Sequence, residues 1–403
     1  MPIKSDNAQT LFIAVKINRT MAIPPEIEKY VIEQRRFIHK HPELSFKEIE
    51  TSKHIESELR SFGLEVEHVG ATGLVSDIKG KEAGKIIVLR ADMDALPVTE
   101  ENKVDFISAN PGVMHACGHD AHVAMLLGVA KMLSASGVKK GTVRLIFQQA
   151  EENPPGGAIE FVKAGYLKGV YAAVGQHVSS DEKCGQISTY YDYAMANADE
   201  FRVKIHGKGG HGSEPEKAVD VLLIGTYYVN LIQSIVSRMI PAFSPAVVTV
   251  GTFNSGYRYN IIAAHTEITG TVRTYDESIR KKVKQDLGKI LKSLCETYGA
   301  DYEFEYIEGY PAVRNNRKIT ETLESVAAKV VGNEGILHKD PIMGGEDFAY
   351  FAREVPSTFY FLGTASEKKG KTSPNHSPTF DIDEDAMKYG VEIMLNTAMK
   401  LLD

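Results

Sequence analysis

Three short apolar runs dominate the first half of the chain: residues 85–89 (KIIVL), 142–147 (TVRLIF) and 171–175 (YAAVG). A helical stretch at 121–133 lies between the first two. Strand-length apolar runs alternating with helical periodicity can bury their faces in few ways, and the pattern predicts an α/β sheet covered by helices. Upstream, Pro24 and Pro25 suit a first helical turn, and Ile27, Tyr30, Val31 and Ile38 recur at helical spacing up to Pro42. A second helix through Ile55, Leu59 and Phe62 closes at Gly63.

The pattern changes after about residue 193. The spacing predicts strand 200–206, helix 215–238, strand 245–253, strand 265–273, helix 277–297 and strand 302–308. That βαββαβ order is the ferredoxin-like split arrangement. Strand and helix signals resume after 310, at 359–363 and 384–401. At 403 residues the chain exceeds the size at which one core usually keeps growing. The expected organisation is a catalytic α/β domain at 23–193 and 309–403, interrupted by a small domain at 194–308. Residues 1–22 read as a poorly ordered extension.

The net charge is −7, without a basic block, which argues against nucleic acid or an anionic membrane surface as the main partner. No stretch approaches a membrane span or a signal-peptide core. Cys117, Cys184 and Cys295 lie far apart, so no disulfide framework is implied and a reducing cytoplasm fits.

The densest chemical cluster is residues 114–122, MHACGHDAH. It precedes an apolar helix, so Asp120 is placed to cap that helix while Cys117 and His119 line the preceding loop. A thiolate beside imidazoles suits zinc, manganese, cobalt or nickel better than calcium; the competing reading is a cap plus surface histidines. Glu151 and Glu152 follow a strand directly, where open α/β sheets place their ligands. One can bind metal while the other takes a proton from water, although glutamate pairs are also common on solvated loops. His177 follows the run at 171–175, and His376 sits in the stiff loop SPNHSP. Asp92 and Asp94 end the strand KIIVL, either as ligands or as carboxylates that orient a histidine. In the inserted unit, the glycine-rich segment at 206–213 carries His211, suited to donating to a developing oxyanion. Asn260 and Arg273 flank its third strand, and Arg273 can grip a carboxylate bidentately. A flexible turn and a surface salt bridge are the blander alternatives.

Together these residues resemble the aminoacylase and glutamate-carboxypeptidase superfamily of metallopeptidases, in its branch of N-acyl-amino-acid amidohydrolases, hippurate hydrolases and auxin-conjugate hydrolases. The matching segments are RRFIHKHPELSFKE, RADMDALP, MHACGHDAH, AEE, GQH, GKGGHGS, TGTVR, GGEDF and HSP, in family order from about residue 27 onward. The resemblance implies a zinc-peptidase-like mixed sheet with an inserted lid and dimerisation domain, hence a homodimer. It implies two divalent ions, zinc or manganese first and cobalt or nickel next. Cys117 would bridge them, with His119 and His177 completing one site and Glu152 and His376 the other. Glu151 becomes the general base for a metal-bound hydroxide, and His211 stabilises the oxyanion from its own subunit or the partner's. Asn260 and Arg273 would then recognise the amino-acid carboxylate. Gln149, Glu216, Ala263 and Gly345 depart from the usual pattern without removing a ligand.

The expected activity is hydrolysis of acetyl or aromatic acyl amino acids. The alternatives are a dipeptidase or carboxypeptidase on the same scaffold, or a binding protein that has lost its chemistry.

Overall fold

A computed structural model describes residues 20–403. Residues 1–19, which carry most of the expected extension, lie outside the described residues; Met21 donates its backbone N–H to Asn396 at 2.7 Å. In chain order come helices α1 (Pro25–Lys40) and α2 (Ile49–Ser61), then strands β1 (Glu67–Val69), β2 (Gly73–Lys79) and β3 (Glu82–Asp92). Next are α3 (His119–Ser136), β4 (Lys140–Gln148), β5 (Ala172–Lys183) and β6 (Ile187–Thr189). Then follow β7 (Asp199–His206), α4 (Val221–Ser234), β8 (Ala246–Ser255), β9 (His265–Thr274), α5 (Glu277–Tyr298) and β10 (Asp301–Ile307). The chain closes with α6 (Arg317–Val330), β11 (Ile336–His338), β12 (Ser357–Ala365) and α7 (Met387–Leu402).

The main sheet has eight strands in the order β1-β2-β4-β3-β5-β12-β6-β11. Its centre, β4-β3-β5-β12, is parallel and its flanks are mixed. The α/β class with a mixed sheet is as expected. Both faces of the centre are covered, so successive residues alternate between two cores. Ile87 and Leu89 pack toward α1, α3 and α7. Val88 points the other way, toward Phe161, Phe348 and Phe351. Burial on both sides is why KIIVL reads as an unbroken apolar run.

The second sheet is antiparallel, in the order β8-β9-β7-β10, and α4 and α5 cover one face of it. One boundary differs from the sequence reading. The helix expected from 215 begins at Val221, because the Asp220 carboxylate accepts from the N–H groups of Leu222 and Leu223. Pro215–Lys217 forms a separate turn before it. No helix among the described residues is long and apolar enough to cross a membrane.

Candidate metal centre and active site

The parallel strands β3 and β4 finish at the same end of the main sheet, where β5 leaves its pairing with β3. Register pairs Asp92 with Gln148 and Arg90 with Gly175. β5 does not stop at Gln176 as the apolar run suggested. It continues to Lys183 beside β12. His177 therefore lies within the strand, just beyond its last pairing with β3, rather than after its end.

Four segments converge there. Gly118 turns the chain into α3 with φ +93°, and a Cβ at that position would sit 2.3 Å from Val178 Cγ2; only glycine fits. The cap role expected for Asp120 is not seen. Its carboxylate is buried and instead accepts from Arg35 Nε at 2.9 Å and lies 2.8 Å from His39 Nδ1, tying α3 to α1. Nor is the histidine cluster a surface one, since His115, His119 and His122 are all buried. The His376 loop is pinned across it. His376 N donates to Ala116 O at 2.7 Å and Asn375 Nδ2 to Cys117 O at 3.0 Å. His376 itself takes a left-handed φ of 67°.

The result is a cluster centred on sulfur. Cys117 Sγ lies 3.3 Å from His177 Nε2 and 3.3 Å from His376 Nε2. His376 Nε2 is 3.4 Å from Glu152 Oε1, and His119 Nε2 is 3.9 Å from the same oxygen. Two triads share the cysteine: Cys117, His119 and His177, and Cys117, Glu152 and His376. In each, the ligand atoms lie within 4.8 Å of one another. The His177 and His119 rings are oriented from behind. His177 Nδ1 donates to Val178 O at 2.7 Å, and His119 Nδ1 lies 2.9 Å from Asp94 O and 3.2 Å from Asp94 Oδ1. Both Nε2 atoms are thereby left facing the cluster. His122 has no such freedom: Nδ1 is 2.5 Å from Asp92 Oδ1, and Nε2 accepts from Val178 N.

Electrostatics asks for cations here. Arg90 pairs with Asp92, Glu346 and Asp347 at 2.7–2.9 Å. Asp94, Glu151 and Glu152 have no lysine or arginine in salt-bridge range among the described residues. Buried carboxylates without compensation are costly. Burial, followed by the charges of Glu346, Glu152 and Asp347, raises the Glu151 carboxyl well above its usual range. Burial draws His119 down, but Asp92, Cys117 and Asp94 outweigh it and hold the ring well above an ordinary histidine. His119 Nε2 and Glu152 Oε1 are both buried without a hydrogen-bond partner. Thiolate, imidazole and carboxylate donors with such orphaned atoms fit a pair of divalent ions.

The dipeptide Glu151-Glu152 is itself gripped. Asp94 accepts from both backbone N–H groups, at 3.0 and 2.9 Å. Glu48 accepts from Ala150 N at 2.9 Å, and Ala150 is left-handed at φ 53°. The Tyr310 hydroxyl donates to Glu151 O at 2.6 Å. Sequence reasoning did not single out Tyr310, and Glu48 appeared only as the last residue of the segment RRFIHKHPELSFKE. Glu346 and Asp347 appeared only as part of the motif GGEDF. A cleft of about 410 Å³ opens onto the cluster, walled by Met195, Ala198, Ile342 and Phe361.

The residues expected from the second sheet are not brought to this cleft. His211 is exposed, with Ser213 Oγ 2.7 Å from its Nδ1. Asn260 lies beside it, its carbonyl accepting from Gly212 N at 3.0 Å. Arg273 bonds within its own sheet, to Thr271 Oγ1 and to Val272 O at 3.1 Å. None of the three lines the cleft.

This fold and site have known counterparts. The description "Peptidase family M20/M25/M40" matches residues 88–400. Thermostable carboxypeptidase 1 of Saccharolobus solfataricus is 43% identical over 370 residues, 91% of this chain and 93% of that protein. The N-acyl-L-amino acid amidohydrolase of Geobacillus stearothermophilus is 44% identical over 292 residues, 72% of this chain and 79% of that one. The crystal structure of the Bacillus subtilis YXEP protein, a dinuclear metal binding peptidase from the M20 family, superposes with a TM-score of 0.82. It is 33% identical, with 94% of this chain and 99% of that one covered. The protein is thus a metal-dependent hydrolase. It belongs to peptidase family M20/M25/M40.

Proposed function

We propose that the protein hydrolyses the amide bond of N-acyl amino acids at a pair of divalent ions. The observation that carries this is Cys117 Sγ at 3.3 Å from two histidine nitrogens, shared between two ligand triads. His119 and His177 would hold one ion and Glu152 and His376 the other; zinc or manganese suit the donors first, cobalt or nickel next. Ions there would polarise the carbonyl and acidify water. Glu151 takes the proton from the attacking water and passes it to the leaving amine. Asp92 and Asp94 orient the histidines. The apolar wall of Met195, Ile342 and Phe361 suits an acetyl or aromatic acyl group.

His211 stabilises the oxyanion, and Asn260 and Arg273 bind the substrate carboxylate, after the second sheet moves or a second copy docks. On this reading residues 23–193 and 309–403 are the catalytic part and 194–308 a lid. The exposed Leu222, Leu223, Tyr227 and Leu231 of α4, beside the edge strand β8, support a homodimer formed through that lid in the cytoplasm.

The named relatives also favour a second reading, a carboxypeptidase. Both activities cut the amide on the amino side of a residue with a free carboxylate, so only the acyl side differs. The test is a panel of N-acetyl amino acids, N-benzoyl amino acids and dipeptides given to the metal-loaded enzyme. Faster turnover of the acyl compounds is expected. Preference for dipeptides selects the second reading, and no turnover of any member refutes both.

A further inference from the structure

A second meeting of ligand-type side chains lies away from the cleft, on the four-stranded sheet. Along β7 the odd-numbered residues from Asp199 to Ile205 are buried, and the even-numbered ones to His206 face outward. Phe201, Val203 and Ile205 pack with residues of α4 and α5, so the other face is the open one. At one end of that open face, register aligns Asp301, His206 and His265 across β10, β7 and β9.

The two rings meet through like atoms: His206 Nδ1 is 3.1 Å from His265 Nδ1. On its far side, His206 Nε2 is 3.0 Å from Glu303 Oε1. A carboxylate oxygen accepts, so the geometry places a proton on Nε2, and in that tautomer Nδ1 presents a lone pair toward His265. Nitrogens bound to tetrahedral zinc at about 2.0–2.1 Å stand about 3.3 Å apart. The observed separation is close to that edge. A carboxylate behind the ring is also how ligating histidines are usually held in one tautomer.

We propose that His206 and His265 form a two-histidine metal site separate from the cleft, with Glu303 orienting His206. Two imidazoles, with water completing the shell, suit a borderline divalent ion such as zinc, nickel or copper rather than magnesium or calcium. His265 is exposed and His206 partly so, which leaves an ion a path in. The competing arrangement is a plain hydrogen bond between the rings, which would hold no ion.

Metal counting on the intact enzyme separates the two. Protein whose cleft is saturated with zinc is dialysed against micromolar free zinc, and bound zinc is measured per chain. The wild type is expected to hold one equivalent beyond the cleft's own. His206→Gln and His265→Gln each lose that equivalent while turnover stays unchanged. Glu303→Gln weakens it about tenfold or more. A His119→Ala, His376→Ala double variant retains it, so the outcome does not depend on the role assigned to the cleft. Absence of the extra equivalent in the wild type, or its persistence in both single-histidine variants, overturns the proposal.

Discussion

In the cleft, Cys117, His119, Glu152, His177 and His376 arrive from four segments and already face one another; in the loop before α4, His211 is exposed, with Ser213 as its side-chain partner. The difference lies in what holds each group. Glu152 and His177 stand past or on strands of one sheet buried on both faces, Cys117 and His119 at the start of α3, and His376 on a loop bonded to Ala116 and Cys117. Backbone or carboxylate partners stand behind the His119 and His177 rings. Such a site is preorganised and needs no motion to assemble. The loop residues ride on a different sheet, tied to it by local bonds such as Ser213 to His211. They reach a substrate only if that sheet moves or a second copy supplies them. The proposed function accordingly gives the chemistry to the preassembled cleft, and substrate recognition and oxyanion binding to the second sheet and its loop.

Several substitutions would break or sharpen this division. Glu151→Gln should lower kcat about 10³-fold while both ions stay bound, as measured by metal analysis beside steady-state kinetics. A near-normal rate would remove the base from the cleft. His211→Ala should cost about 10²-fold in kcat with metal content unchanged. A loss under tenfold would mean that the loop takes no part. Mixing His211→Ala chains with Glu151→Gln chains then sharpens the point, since recovered activity shows that the histidine serves the partner's cleft. Tyr310→Phe removes the hydroxyl that holds Glu151 O. It should lower kcat about tenfold and stability by about 1 kcal/mol, leaving KM and metal content alone.

The remaining prediction concerns stability against pH and leaves the chemistry aside. Burial pushes Glu48 up to about 7 from an ordinary 4.5. The folded protein thus binds this proton more tightly than the unfolded chain. The resulting stabilisation is complete below the ordinary value and is lost as pH rises through about 7. Chemical denaturation should show wild-type stability falling across that window by up to about 3 kcal/mol. Glu48→Gln should flatten that fall, and an unchanged slope would contradict the assignment.

The parts visible in the sequence were those whose chemistry is local. KIIVL, TVRLIF and the βαββαβ order followed from periodicity, and MHACGHDAH concentrates ligand types within nine residues. What stayed hidden depends on distant partners. Tyr310 reaches Glu151 across 159 positions and Glu48 reaches Ala150 across 102; both bond to backbone, so although Glu48 closes the segment RRFIHKHPELSFKE, neither contact is marked by the residue at its other end. Asp120 looked like a cap because caps are local, yet Arg35 and His39 from α1 claim its carboxylate. β1, β6 and β11 have three residues each, too few to show an alternation. Arg90 and the GGEDF carboxylates could have been suspected, because charged residues inside otherwise apolar strand ends require partners.

The most direct test of the central claim is an anomalous-scattering map from crystals grown with zinc. Two peaks are predicted in the cleft, with Cys117 Sγ between them, one beside His119 and His177 and the other beside Glu152 and His376. A single peak, or two peaks that do not share Cys117, would contradict it.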